Sequence, residues 1–129
     1  MLRAGIYPIT IAEMGSYQKD ADVLFKGEEH ERLKEFLALH PEFGDVLPDT
    51  GDVRLLRWPI KDRGPGPRVR VIYYFRDLNM PLYLIALYAK GERMKIGAAW
   101  RAEMKALVCE LIAHHSKVWA RVIGDQGST

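Results

Sequence analysis

At 129 residues, with 48% hydrophobic and 28% charged positions, the chain has the size and composition of one globular domain with room for a real core. No apolar run approaches the roughly 20 residues that a bilayer-spanning helix needs, which predicts no role in a membrane. A net charge of +2 and a pI near 8.7 do not announce a nucleic-acid binder, so any such role must rest on local clustering of charge. The single cysteine, Cys109, permits no internal disulfide. It predicts a reducing, cytoplasmic setting, and its place among Leu107, Val108 and Leu111 reads as a small core hydrophobe.

In chain order, the apolar N-terminal stretch to Ile11 is broken by Gly5 and Pro8 and reads as a first strand rather than a signal peptide. Gly15 and Ser16 can cap a short helix over Tyr17–Phe25. A second helix is predicted from Gly27 to His40, with Glu28 and Glu29 in its first turn, where acidic groups suit the helix dipole, and Pro41 ending it. Its apolar stripe is Leu33, Phe36 and Leu37, with Leu39 at the edge, and both helices can pack on one face of a sheet. The stretch 43–52 is rich in Gly, Pro, Asp and Thr. Its aspartates invite a metal or acid/base reading, but Asp beside Gly and Pro is what turns use, and no His or Cys stands at ligand spacing.

Three period-two runs then follow, Val53–Ile60, Arg68–Phe75 and Leu82–Lys90, whose short spacers predict an antiparallel meander. Alternation places Val69, Val71, Tyr73 and Phe75 on one face of the middle run and Arg68, Arg70, Ile72 and Tyr74 on the other. Arg57 lies at the end of the neighbouring run. Lys61, Arg63 and Arg68 crowd the Gly/Pro-broken loop, and Lys90, Arg93 and Lys95 come after the third run. Two readings stand for this cluster. It is a phosphate site, with arginine forks matched to phosphate oxygens and Tyr74 and Tyr88 able to stack on bases, or it is the solvated face of a half-buried sheet.

From Ile96 to Val122 apolar residues recur at three- and four-residue steps, which predicts one long amphipathic helix of about 40 Å. Its last turns around Trp119 either project to meet a partner or second subunit, or fray or fold back before the polar tail from Gly124 to Thr129. His114 and His115 fall on different helix faces, one exposed and one at the core edge. No glycine-rich nucleotide loop, His-Glu-x-x-His pair or serine nucleophile elbow occurs, so no metal or cofactor is expected.

The order of these elements, with Glu28-Glu29 through His40-Pro41, Gly44-Asp45-Val46, Thr50-Gly51, Leu56-Arg57, Arg63-Gly64, Arg70 through Phe75 and Tyr88-Ala89-Lys90 with Glu92, resembles the HigB-like branch of the RelE/ParE toxin superfamily. The likeness covers residues 5–112 of a single domain spanning 1–129, with 113–129 a helix extension and polar tail. It implies an α+β, RelE-like fold, in which N-terminal helices pack on a twisted, mainly antiparallel sheet of about four strands and a long C-terminal helix follows. The implied activity is that of a type II toxin, a metal-independent, ribosome-associated mRNA endonuclease in the cytoplasm. The implied partners are mRNA, the ribosome and a cognate antitoxin of helix-turn-helix type, and the C-terminal helix offers a route to a homo-oligomer.

Position by position, the resemblance assigns catalysis to Arg70, Arg57 and Lys90, and RNA binding to Lys61, Arg63, Arg68, Tyr74, Tyr88 and Arg93. The chain departs from RelE in having Leu55 for a strand lysine and Gly91 for an arginine, and in lacking a counterpart to its C-terminal tyrosine. The alternative reading is a non-enzymatic protein of the same fold, either a gyrase inhibitor like ParE or a decayed toxin that only binds its antitoxin.

Overall fold

The computed structural model describes residues 9–60, 69–89 and 91–127, the side chains through 122. Strand β1 (Ile11–Glu13) leads into α1 (Gly15–Leu24) and α2 (Glu29–Leu39); β2 (Asp45–Val46), β3 (Arg54–Trp58), β4 (Val69–Tyr74) and β5 (Leu82–Ala89) follow, and α3 (Ala98–Gly127) ends the described chain. The sheet order is β1-β5-β4-β3-β2, with β1 parallel to β5 and all other pairs antiparallel.

The α+β class is as expected, with five strands among the described residues rather than about four. The added one, β2, is a two-residue edge strand inside a segment whose residue types mark turns, and it exists through its pairing with Leu55 and Arg54. Asp49 and Asp52 in the same segment take left-handed φ of 60° and 76°, the turn usage their neighbours imply. The first strand is found at Ile11–Glu13, later than predicted, and residues 1–8 lie outside the described residues. Helix α1 starts at Gly15 without a side-chain cap, and Ser16 Oγ donates instead to the Ile85 carbonyl.

Period-two alternation divides the sheet between two cores. Leu56, Val71, Tyr73, Leu82, Leu84 and Leu87 face α1 and α2, where Tyr17, Ala21, Leu33 and Leu37 cover them. Val53, Leu55, Ile72, Tyr74 and Ile85 face the other way and are covered by Val108 and Leu111 of α3, with Trp100, Met104 and Leu107 at the margin. Both faces are therefore closed along most of their length. Cys109 corrects the sequence reading: it is exposed, because one step along a helix turns about 100° and carries it off the stripe that buries Val108 and Leu111. His114 is exposed and His115 half-buried, as the helical phase predicts. At its far end α3 leaves Val118, Trp119 and Val122 exposed. Among the described residues no helix is long and apolar enough to cross a membrane.

Candidate phosphate-binding site

The α3-facing side of the sheet stops being apolar at one cross-strand row. Arg57 of β3 pairs with Arg70 of β4, which pairs with Tyr88 of β5, so the three side chains stand side by side on one face. The pairing places two cations directly opposite each other, an arrangement that costs stability unless an anion offsets it.

Tyr88 joins this row only because of a bulge. The register slips between Ile72 and Tyr73, whose partners are Ala86 and Leu84, leaving Ile85 as an extra residue on β5. Strict alternation from Leu82 and Leu84 would send residue 88 towards α1 and α2. The extra residue reverses the phase, so that Ile85, Ala86 and Tyr88 belong to the α3 side and Leu87 to the other.

Arg70 is half-buried and its guanidinium is held. Nη2 donates to the Ala89 carbonyl at 3.3 Å and to the Glu92 carbonyl. Those carbonyls belong to a tight turn closed by the Glu92 N–H on Ala89 O (3.0 Å), with Gly91 at φ +86°, the left-handed conformation that glycine adopts without cost. The Glu92 carboxylate folds back to accept the Ala89 N–H at 2.9 Å. Arg57 is 59% exposed and faces Asp45 at 3.8 Å, a loose surface contact that leaves most of its charge to solvent.

Other predicted site residues divide. Arg93 is exposed on the segment leading to α3. Tyr74 is not a stacking platform: it is 5% exposed beneath α3, and burial pushes its phenol above the usual range, so it stays neutral. Leu55 is 8% exposed in the same core. Lys61, Arg63, Arg68 and Lys90 lie outside the described residues. In the sequence Glu92 stands out only as part of the resemblance, and nothing in its residue type marks the bond it accepts from the Ala89 N–H.

Elsewhere two open grooves flank α3, one along Asp49, Arg101, Lys105 and Cys109, the other between Arg76, Asp77, Met80 and the exposed Trp119. Neither includes a residue of the arginine row.

No protein-family model matches the sequence. Among solved structures, the chain is similar to the solution structure of the conserved hypothetical protein HP0894 from Helicobacter pylori, with 21% identity over 65% of this chain and 97% of that one and a TM-score of 0.31. At that likeness no statement about activity passes from one protein to the other.

Proposed function

We propose that the chain is the toxin of a type II toxin–antitoxin pair, a RelE/HigB-like endoribonuclease that stops translation by cutting mRNA, on the ribosome and without a metal. The observation that carries the reading is the like-charged pair Arg57–Arg70 beside Tyr88 on one face of the sheet. A cross-strand arginine pair with one loose acidic contact is a poor structural device and a good cradle for a phosphodiester.

In this reading the ribose 2′-oxygen attacks the adjacent phosphorus and the bond to the 5′-oxygen breaks. The products are a 2′,3′-cyclic phosphate and a 5′-hydroxyl. Arg70 and Arg57 stabilise the charge on the phosphorane, as cations aimed at developing charge do. One proton leaves the 2′-hydroxyl and one reaches the departing 5′-oxygen, and Lys90 is the group assigned to move them. Tyr88 offers a ring to a flanking base. Lys61, Arg63, Arg68 and Arg93 supply further phosphate contacts, and an antitoxin is the partner that would mask the row.

A second reading has its own observation. Leu55 is sealed into the core where the resemblance sets a RelE lysine, and residues of α3 cover much of that face of the sheet. A toxin fold that only binds a partner fits that economy.

Expression of the chain alone, followed by pulse labelling, separates these readings. The endonuclease reading expects protein synthesis to fall before DNA synthesis, with new 5′-hydroxyl ends on mRNA. Arrest of DNA synthesis first, with trapped gyrase, would transfer the assignment to a ParE-like inhibitor, and unimpaired growth would transfer it to a binding-only protein.

A further inference from the structure

A guanidinium grips phosphate in two-point fashion along one of two edges, Nε with Nη2 or Nη1 with Nη2. Both edges need an Nη2 hydrogen. In Arg70 those hydrogens are spent on the carbonyls of Ala89 and Glu92. Only single-point contact with an anion is open while that arrangement lasts. The turn that supplies the carbonyls is in turn tied by the Glu92 side chain, which accepts the Ala89 N–H at 2.9 Å.

We infer that Glu92 is a positioning residue that latches Arg70 in a one-point state, and that RNA phosphate engages the full arginine fork only when the Ala89–Glu92 turn lets go. The inference rests on the phosphate-site reading of the arginine row and adds to it a built-in restraint. Two features make this turn releasable. Among the described residues, Gly91 has nothing within 4 Å of where a Cβ would stand, so no described side chain wedges it in place. Gly91 and Glu92 are themselves exposed. Phosphate thus competes with two backbone carbonyls for one nitrogen, and the carboxylate that holds those carbonyls sets the terms of the competition.

The test uses the purified full chain and a short single-stranded oligoribonucleotide, 2′-O-methylated throughout so that it cannot be cleaved. Glu92→Gln removes the charge but keeps an oxygen for the Ala89 N–H; Glu92→Ala removes both. The latch predicts that E92A binds about fivefold more tightly than E92Q, the equivalent of one exchanged hydrogen bond of about 1 kcal/mol. In an Arg70→Ala background that difference should vanish, since there is no fork left to release. Gly91→Ala strains the same turn at positive φ while keeping Glu92, and should also tighten binding. If E92A and E92Q bind alike, only charge is at work and the latch is wrong. If E92A binds more weakly, Glu92 aids the fork rather than restraining it, which also overturns the proposal. Arg70→Ala by itself marks the other failure: if it leaves binding untouched, the phosphate-site reading falls with the latch.

Discussion

Two strand arginines, Arg54 and Arg70, do the same thing on opposite faces of one sheet, and only one of them resembles a site. Arg54 Nη1 donates to the carbonyls of Glu42 and Gly44, both at 2.8 Å; Arg70 Nη2 donates to those of Ala89 and Glu92. The difference lies in what else holds each turn. Tyr73, fully buried, accepts the Gly44 N–H at 2.8 Å and donates to the Pro41 carbonyl at 2.9 Å. A Cβ on Gly44 would stand 2.8 Å from the Tyr73 ring, so that loop is pinned by packing as well as by hydrogen bonds. Among the described residues the Arg70 turn has no such backing beyond its own Glu92, and its neighbour across the strand is another cation. Redundant support marks a structural arginine, whereas a singly supported arginine beside a like charge can exchange its partners.

The sharpest way to break that comparison is to remove each arginine in turn. On the proposed endonuclease reading, Arg70→Ala should lower mRNA cleavage by about two to three decades, the usual cost of about 3 to 4 kcal/mol for losing a donor to the transition state. It should move the melting temperature little, because the lost contacts are two exchangeable bonds to the carbonyls of Ala89 and Glu92. Arg70→Lys should recover only part of the rate, since an ammonium cannot present a fork. Arg54→Ala should do the reverse, costing about 2 kcal/mol of stability through two charge-assisted bonds while leaving cleavage per folded molecule unchanged. Cleavage rates on a ribosome-bound message, read beside denaturant melts, check both. Equal loss of cleavage in the two variants would abolish the distinction.

A smaller effect tests the pinned side by itself. Tyr73→Phe keeps the ring in its slot and deletes the hydroxyl, stranding the Gly44 N–H; a loss of about 1 to 3 kcal/mol is expected from urea melts. Gly44→Ala attacks the same contact by overpacking, and a cost in the same range is expected. If Tyr73→Phe proves neutral, the loop is held by Arg54 alone, and the contrast with Arg70 loses its physical basis.

Much of this was legible in the sequence, and the failures share a cause. Val69, Val71 and Tyr73 alternate with Arg70, Ile72 and Tyr74, so the strand and its two faces can be read from period-two spacing, and the face that holds Tyr73 is the one packed against α1 and α2. The stripe Leu33, Phe36 and Leu37 named the buried side of α2 for the same reason. Alternation does not reveal what covers a face. The arginine face of β4 looked like a surface, yet α3 lies on it, which moved Tyr74 from candidate base stacker to core. Nor does alternation foresee a phase change: the Ile85 bulge, which brings Tyr88 to Arg70, has no marker in a run of Leu, Ile and Tyr. Cys109 was misplaced by reading sequence neighbours as spatial ones on a helix. The short pairing at Asp45 and Val46 arises from tertiary contact in a segment whose residue types favour turns.

The mildest lever is pH, and it acts on the pinned side of the sheet. His30 of α2 lies between the buried Tyr17, whose hydroxyl is 3.1 Å from Nε2, and Phe25, whose ring stacks on the imidazole at 4.9 Å. The charged groups around it are Glu13, 3.9 Å away, and Lys34, Glu31 and Asp22. Burial lowers the His30 pKa below the ordinary 6.5, with Glu13 opposing the shift and Lys34 adding to it. The sign follows from proton counting. Between the lowered folded value and 6.5 the unfolded chain binds more protons than the native one, so stability is full above about pH 6.5 and drains away as the pH falls through the folded value. His30→Gln, which can keep a hydrogen bond to Tyr17, should flatten that part of a stability-versus-pH curve. RNA affinity measured over the same range on the still-folded protein should show no His30-dependent step, because His30 serves the α1/α2 core and not the arginine row. A step in affinity that disappears in His30→Gln would mean the two faces communicate, and the division between a pinned side and an exchangeable one would have to be redrawn.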